Sequence, residues 1–486
     1  MSDSFSDERA DMASKTHYVD AYDGLRVQLT RNDMYIKVRD DAGAISITTT
    51  PPSVVPIGLC MTFDNSGGSG VLNVNSGEVQ VPPGLVYEAK VVGDGAGGHV
   101  LVVAGPEAVA NTLTTGAALQ SATDSDKENG RPLNLQVGET EFSTRIDLDG
   151  GSGGGWYGQG RPEPITQATS TARQGSVLVY TGTKSAGQAA ILYERTDFVM
   201  QDLVIQGKST ADVYAGTGTN TPRGIYISRS GTAGIGTGKL EMRHVRLSGF
   251  DVAIEVGNTL AASNCDESAY YSVFSDRNGT FFRCNNQQGL SHKFYNLRAS
   301  QTTTVFDYIA GGKLAVTDCL LTHPCTLLQL RNDESTGFGH NASRWVFRGV
   351  DLDSGARNSY LLNCESGIDY YGDVEFHGVH LSMNDSDVWD NPGIHVGSNM
   401  TVIVNNCLNL PANFVSWNCS GNKSTIIFNN PKVYTNVTTA ADIFKTSGSV
   451  GNLRCIVNYG LQYSTYTMLP VTPDSGNIYN QVLTGV

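Results

Sequence analysis

The sequence predicts an all-β protein: a right-handed parallel β-helix preceded by a small β-sandwich or barrel-like N-terminal domain. Three observations predict this fold class. The composition is poor in charge and rich in glycine, apolar residues occur in short runs of strand length, and the C-terminal two-thirds of the chain carries an irregular repeat. A repeat of this kind is typical of coils that stack on one another to complete a shared core.

The composition favours strands and turns over helices. Charged residues make up 16% of the chain, against about 25% in an average globular protein, and 55 of the 486 residues are glycine. Long helices would need more alanine, leucine, glutamate and lysine. The formal net charge of −14 argues against a nucleic-acid partner and against a polybasic membrane-binding surface, because clusters of lysine and arginine bind both.

We expect no signal peptide and no membrane insertion. Residues 1–18 are acidic and polar without an apolar core, and no segment reaches the roughly 18 apolar residues of a membrane span. The nine cysteines show no CxxC pair and no metal-ligand spacing, so we expect reduced thiols in the core of a protein that folds in a cytoplasm. We therefore expect no metal site and no cofactor, with one candidate exception described below.

The chain divides by composition into five segments. They are a polar N-terminal arm (1–20), a small β-domain (21–105), a Gly/Ser-rich connector or β-helix cap (106–175), the β-helix (176–470) and a C-terminal tail (471–486). In the β-domain, eight strand-length apolar runs alternate with Gly- and Pro-rich turns, which indicates a sandwich or barrel. The arm lacks the apolar content to fold alone and is expected to become ordered against a partner.

A six-residue template recurs from about residue 176: an apolar residue, any residue, then Asn, Asp, Gly or His, an apolar residue, any residue and an apolar residue. The copies begin at Met200, Met242, Phe294, Val316, Phe347, Phe376, Val404, Phe428 and Ile456, with a weaker copy around Tyr271. Most begin 22 to 31 residues apart, which suits one coil of three short strands. The single step of 42 residues, from Met200 to Met242, is expected to hold an inserted loop at 209–222.

A second strand follows each copy, as at 224–228, 252–256 and 304–308. One coil cannot bury its apolar side alone, so neighbouring coils complete the core and each inward column stays apolar. The third template position carries residue types that tolerate a left-handed backbone, and we expect a bend there, with a possible hydrogen-bonded ladder of asparagines. The alternative is a series of β-sandwiches whose strands resemble one another by chance.

Five polar residues on neighbouring copies form the first candidate site: Arg348, Asp351, Asp353, His377 and His380. The second and fifth template positions should point outward, and adjacent strands of a parallel sheet lie about 4.8 Å apart. Asp351 and His380 should therefore be stacked neighbours, with Arg348 and His377 beside them. The group suits a glycan-binding or catalytic groove, and the alternative is a solvated sheet face with an ordinary Asp–His pair.

The acidic loop at 384–391 forms the second candidate site. Asp385, Asp387 and Asp390 surround Trp389, so the loop has carboxylates for a structural Ca²⁺ and an indole that stacks on a sugar ring. The spacing matches no EF-hand loop, and a polar turn is the favoured interpretation.

A basic and aromatic stripe is the third candidate site. Arg243 and Arg246 lie at outward positions of one template copy, and Tyr295 and Arg298 lie at the same positions of a later copy. Arginines beside an aromatic ring suit an acidic polysaccharide. They equally suit charges that keep an exposed sheet from associating with other strands.

The two-strand coil with an Asn, Asp or Gly bend resembles the pectate-lyase-like right-handed β-helix superfamily over 176–470. Segment 45–95, with its Pro-containing and Gly-rich turns, is similar to small β-repeats of phage tail-fibre proteins. Together, the arm, the small β-domain and the β-helix resemble phage tailspikes and tail fibres. That resemblance implies a homotrimer on the virion, docked on other virion proteins through its N-terminal region, whose β-helix binds and sometimes cleaves bacterial surface polysaccharide.

Three functions remain open from the sequence. The leading hypothesis is a virion protein for host attachment, binding a surface polysaccharide through residues such as Arg243, Arg348, His377 and Trp389. The second is a polysaccharide lyase or glycoside hydrolase on the same scaffold. Its catalytic candidates are Asp351, Asp353, His380 and Asp385, because hydrolysis needs paired carboxylates and lyase chemistry needs a base. The third is a purely structural virion fibre or capsid decoration protein.

Overall fold

A computed structural model describes residues 17–21, 23–28, 34–38, 44–50, 60–65, 70–74, 79–81, 86–93, 99–103, 119–120, 123–124, 133–135, 138–158, 175–228, 237–257, 265–286, 289–331, 343–356, 358–365, 369–382, 392–433, 443–445, 449–458 and 478–481. The chain forms two compact units, Met1–Val109 and Ala110–Val486. Both are built almost entirely from β-strands.

The N-terminal unit contains two sheets in its described part. Its strands are β1 His17–Ala21, β2 Leu25–Gln28, β3 Met34–Val38, β4 Ile45–Thr50, β5 Cys60–Asp64, β6 Leu72–Val74, β7 Val79–Val81, β8 Val86–Gly93 and β9 His99–Val103. One sheet has the order β1-β3-β5-β8-β9 and the other β2-β4-β6-β7. The first three strands of each sheet are parallel, so the chain alternates between the sheets before the last strands pair antiparallel.

The described part of the C-terminal unit contains a long series of short strands, one complete α-helix at Thr210–Ala215, a 3-10 helix at Ser354–Ala356 and helical residues at 119–120 and 123–124. The strands that precede the helix are β10 Leu133–Asn134, β11 Gly138–Phe142, β12 Ile146–Ser152, β13 Gly155–Tyr157, β14 Ser176–Tyr180, β15 Ala189–Thr196 and β16 Val199–Gln206. Helix α1 is Thr210–Ala215. The strands that follow are β17 Thr221–Ile227, β18 Thr237–Gly238, β19 Glu241–Ser248, β20 Phe250–Val256, β21 Cys265–Asp266, β22 Ala269–Tyr271, β23 Phe274–Asp276, β24 Thr280–Asn285, β25 His292–Ser300, β26 Thr304–Ala310, β27 Leu314–Leu321, β28 Thr326–Leu330, β29 Ser343–Leu352, β30 Tyr360–Cys364, β31 Asp369–Leu381, β32 Ile394–Val396, β33 Ser398–Asn405, β34 Leu408–Leu410, β35 Val415–Asn429, β36 Lys432–Val433, β37 Val450–Asn458 and β38 Ile478–Gln481.

These strands build two parallel ladders that run from coil to coil. Ladder I contains the strands with the six-residue template, such as β16, β19, β25, β27, β29 and β31. Ladder II contains the second strands, such as β17, β20, β24, β26, β28 and β30. All of these pairings join strands of successive coils, so the unit is a parallel β-helix, as the sequence predicts.

The first template position forms a single buried column at the centre of the helix. Its members are Met200, Met242, Tyr270, Phe294, Val316, Phe347, Phe376, Val404 and Phe428. The rings of Tyr270 and Phe294 stack with centroids 4.2 Å apart, and those of Phe347 and Phe376 stack at 5.2 Å. Burying each such side chain contributes about 1.5–3 kcal/mol, which accounts for the apolar character of the column.

The chain bends at the third template position, as predicted. Eight residues there have φ between 50° and 69°: Asp202, His244, Asn296, Asp318, Gly349, Gly378, Asn406 and Asn430. Ser272, in the weaker copy, has φ 50°. Asn, Asp and Gly are the residue types that adopt this left-handed backbone at least cost.

The last copy of the template is displaced by one residue from its predicted position. Phe428 pairs with Val457 and Asn429 pairs with Asn458, so this copy begins at Val457 rather than Ile456. Asn458 donates to Oδ1 of Asn429 at 2.7 Å, and Asn429 donates to Oδ1 of Asn405 at 2.6 Å. A ladder of asparagine amides therefore exists in these coils, but it lies one position before the bend.

The ladders extend beyond the predicted segment boundaries. In the expected connector, β10 and β11 already pair in parallel with β13 and β14, so the coils begin at Leu133. In the expected tail, β38 pairs with β37. In the expected arm, residues 17–20 belong to β1, which pairs with β3.

The inserted segment after β16 contains α1. Ser209 caps its N-terminus by accepting from the backbone N–H of Asp212, and Gly216 ends it with φ 69°. Among the described residues, no helix is long and apolar enough to cross a membrane.

Eight cysteines of the C-terminal unit, from Cys265 to Cys455, are buried as thiols rather than disulfides, in agreement with the predicted core role. Burial raises the pKa of Cys407 and Cys455 to about 12, so both remain protonated and unreactive at neutral pH.

One buried histidine makes the stability of the β-helix depend on pH. The ring of His292 is fully buried against Phe282, and burial lowers its pKa to about 3. In the unfolded chain the pKa is about 6.5, so below that pH the unfolded state binds a proton that the folded state does not. The contribution of neutral His292 is therefore complete above pH 6.5 and is lost as the pH falls towards 3.

We predict that His292→Leu flattens the acid limb of the stability profile. Leucine matches Leu314, the next residue in the same inward column, and removes two ring nitrogens that have no hydrogen-bond partner among the described residues. Between pH 6.5 and 4, the wild type should lose up to about 1.4 kcal/mol per pH unit more than the variant. Urea unfolding over this range measures the difference, and equal slopes for the two proteins would contradict the prediction.

Candidate functional site

The outer surface of ladder I is divided by the bend. We call the outward residues before the bend the pre-bend face and those after it the post-bend face. The second template position runs along the pre-bend face as Gln201, Arg243, Tyr271, Tyr295, Thr317, Arg348, His377, Asn405 and Asn429. Successive members lie about 4.8 Å apart along the helix.

An exposed aromatic stack lies on the pre-bend face. The rings of Tyr271 and Tyr295 are parallel within 7°, with centroids 5.0 Å apart, and each residue is more than a third exposed. The guanidinium of Arg243 lies 5.7 Å from the centroid of Tyr271, on the preceding coil. The two rings together form an exposed aromatic patch on an otherwise polar face.

The stack ends at a notch, which we name the Thr317 notch. The next coil presents only the small side chains of Ala315 and Thr317, and the coil after it presents Arg348. Tyr295 and Arg348 are therefore about 9.6 Å apart along the helix. Because van der Waals contacts are about 3.5–4.0 Å, the notch accepts one ring between the outer face of Tyr295 and Arg348.

A charged trench of about 520 Å³ adjoins the stack. Glu241 and Lys293 in its wall lie two residues before Arg243 and Tyr295 on the same strands, so the trench continues the pre-bend face. Glu241 pairs with Arg243, and Lys239 pairs with Asp197 at 3.6 Å. The other charged residues of the trench are Glu267 and Lys293.

His377 and Arg348 occupy the far end of the pre-bend face. His377 Nε2 lies 3.1 Å from Glu375, which also pairs with Arg344 at 2.6 Å. Burial alone would raise the pKa of Glu375, but the hydrogen bonds from His377 and Arg344 outweigh it and lower that pKa below its usual value. Asn405 lies 3.0 Å from the other ring nitrogen of His377, so this histidine is held on both sides.

The predicted Asp351–His380 pair forms, but on the post-bend face. His380 Nδ1 lies 3.5 Å from Asp351, and both side chains are about half exposed. The bend at Gly349 and Gly378 separates this pair from Arg348 and His377, so the predicted five-residue cluster is split between two faces. Asp353 lies past the strand, where its backbone N–H donates to Leu321.

Arg246 is buried, contrary to the expected outward position. Its side chain is 1% exposed and pairs with Asp276, on the next coil. Burial lowers the pKa of Arg246, although Asp276 opposes the shift. Arg246 shares its outward column with Glu139, Val177 and Val204, of which the two valines are also buried. Thr210 of α1 bonds Glu139 and Gln206 at the start of this column.

The remaining arginine of the predicted stripe is exposed. Arg298 lies on the post-bend face, with its guanidinium 5.8 Å from the centroid of Phe274. Tyr271 and the trench were not predicted from the sequence, although Tyr271 occupies the same template position as Tyr295.

The acidic loop lies outside the described residues, so Asp385, Asp387, Trp389 and Asp390 keep their predicted roles as untested expectations. Within the described part of the chain, no cluster of three or more His, Cys, Asp or Glu side chains is arranged to hold a metal ion.

No protein-family model matches the chain, and no curated protein matches it. Among solved structures, the chain is similar to the tailspike protein gp49 from Acinetobacter baumannii bacteriophage Fri1, a capsular polysaccharide depolymerase. The identity is 11% and the TM-score 0.37, and the match covers 83% of this chain and 69% of that chain. At this identity and TM-score, the likeness assigns no role to any residue.

We predict that the buried Arg246–Asp276 pair is important for stability and that the exposed Asp351–His380 pair is not. Asp276→Ala removes the carboxylate that pairs with the buried Arg246, and should lower the free energy of unfolding by about 3–5 kcal/mol. Asp351→Ala, the matched control, should cost less than about 1 kcal/mol. Urea unfolding of both variants measures the difference, and comparable losses would contradict the assignment.

Proposed function

We propose that this chain is a phage tailspike or tail-fibre-type virion protein that attaches to a host surface polysaccharide through the pre-bend face. The observation that carries the proposal is the exposed Tyr271–Tyr295 stack, which ends at the Thr317 notch. The stack contributes little to the core, since both rings lie outside the β-helix. Its exposure is best explained by a ligand that covers it.

The rigidity of the face favours a repetitive ligand. Each side chain of the face sits on a strand that is paired on both sides, so the groups that would contact a polymer are held in place before it binds. Pre-ordering of this kind lowers the entropy cost of association. A linear polymer lying along the helix axis would meet one position of the face about every 4.8 Å.

The charge around the notch favours an acidic sugar. Lys293 and Arg348 are exposed on its two sides and have no ion-pair partner among the described residues. Asp318, at the bend, supplies one opposing charge, which leaves the notch net positive. A guanidinium that is planar and always charged suits a sugar carboxylate.

The virion role includes two proposals from the sequence resemblance. The N-terminal region docks on other virion proteins, and the protein is a homotrimer, a closed arrangement common among symmetric oligomers. Light scattering of the purified protein tests the second proposal directly.

We predict that Tyr295→Ala weakens polysaccharide binding about tenfold or more, because it removes the ring on which a sugar would stack. Tyr214→Ala is the matched control, since Tyr214 is 40% exposed against 38% for Tyr295 but lies on α1. Capsule or exopolysaccharide from candidate hosts is titrated with each protein, and co-elution and polymer mass are followed by size exclusion with light scattering.

Three results of that experiment separate the functions. Selective loss of co-elution in Tyr295→Ala supports attachment through the pre-bend face, whereas equal losses in the two variants count against it. A polymer mass that falls with time would establish a depolymerase and direct attention to Asp351 and Asp353. Neither binding nor cleavage across the panel would favour a structural particle protein.

We predict that removing residues 1–16 abolishes incorporation into particles without unfolding the protein. The deletion stops before β1, because His17–Ala21 pairs with β3 and its loss would damage the N-terminal unit. The melting temperature and polysaccharide binding of the shortened protein should match the full chain. Incorporation at the normal level would contradict docking through the arm.

A further inference from the structure

A second cavity lies on ladder II, away from the pre-bend face. It has a volume of about 440 Å³, within the range of about 300–1,000 Å³ that is typical of small-molecule sites. Gln329, Asn363 and His395 form one outward column along it, and Arg331 and Glu365 lie two residues further along their strands. We call it the ladder II trench.

The column in the trench is ordered by its own hydrogen bonds. Asn363 Nδ2 donates to Gln329 Oε1 at 2.8 Å, and His395 Nδ1 lies 2.7 Å from the hydroxyl of Ser416. Two polar atoms then remain without a partner among the described residues. They are Oδ1 of Asn363 and Nε2 of His395. The trench therefore presents fixed polar atoms before any ligand arrives.

The charges of the described residues at the trench cancel. Asp307, whose side chain is fully buried, pairs with both Arg283 and Arg331 at 2.9 Å. With Glu365, two carboxylates balance two guanidinium groups. Burial lowers the pKa of His395, so its ring is neutral at physiological pH.

A neutral ligand with hydroxyl groups matches this set. The carboxylate of Glu365 and the amide oxygen of Asn363 accept hydrogen bonds, and the neutral imidazole of His395 accepts or donates one. Hydroxyl groups can bond all three, because a hydroxyl both donates and accepts. Tyr360 adds an aromatic ring to the lining, for contact with the apolar face of a sugar. A charged ligand would find no net opposite charge to compensate its loss of water.

We propose that the ladder II trench is a second binding site, for a single neutral sugar residue, separate from the pre-bend face. The inference does not depend on the proposed function, because none of its residues belongs to that face. If both sites bind one polymer, the second contact would strengthen attachment through effective concentration.

Saturation-transfer NMR tests the trench with glucose, galactose, mannose and N-acetylglucosamine, each at millimolar concentration, and with glucuronate as the acidic comparison. Asn363→Leu removes the free amide oxygen and should weaken binding of the preferred neutral sugar about tenfold. Glu365→Gln, at an exposed position that leaves the fold intact, should also weaken it. Asn220→Leu is the matched control, because Asn220 is a half-buried, hydrogen-bonded asparagine that belongs to neither the trench nor the pre-bend face, and it should bind as the wild type does.

The Tyr295→Ala variant separates this proposal from the proposed function. A neutral sugar that still binds Tyr295→Ala, but is lost from Asn363→Leu and Glu365→Gln, supports the trench. Loss in Tyr295→Ala with retention in both trench variants would place the sugar on the pre-bend face and overturn the trench. The proposal is also overturned if no neutral sugar binds the wild type, or if glucuronate binds the trench better.

Discussion

Each coil of this protein has an apolar inner side that only the neighbouring coil can cover. That constraint fixes the register, because a shift of one residue would turn the inward column from Met200 to Phe428 towards water. Once the inward column is aligned, every outward column is aligned as well. The surface chemistry is therefore a consequence of core packing: residues far apart in sequence, such as Tyr271 and Tyr295, stack because Tyr270 and Phe294 stack beneath them.

The left-handed bends decide which outward residues act together. Gly349 and Gly378 turn the chain between Arg348 and Asp351 and between His377 and His380, so each strand contributes to two faces. The two faces differ in their surroundings. The pre-bend face is open along several coils, whereas Val204 and Arg246 at the start of the post-bend face are buried. Ladder II offers a third surface, whose charges are balanced around Asp307.

Local patterns in the sequence predicted the parts of the structure that local rules govern. The alternation within a strand and the spacing of the coils indicated the inward column, and the backbone preferences of Asn, Asp and Gly indicated the bends. The burial of Arg246 was not predictable, because Arg298 occupies the same template position and is exposed, so the repeat alone does not show which outward positions are covered. The five-residue cluster formed only in part: Arg348 lies beside His377 and Asp351 beside His380, as predicted, but the bend at Gly349 and Gly378 places the two pairs on different faces. The ladder II trench could not be predicted from the sequence, because the residues that line it come from several coils and share no motif.

The regular recurrence of the bends has an evolutionary consequence. Because a coil begins and ends in the same register as its neighbours, a duplication or loss of one whole coil would preserve the core on both sides of the change. Such an event would move Arg348 and His377 closer to the tyrosine stack or further from it by one step, and would leave every other contact in place. Recombination between related genes would thus change the specificity of the surface by changing the distance between its side chains, without replacing any of them.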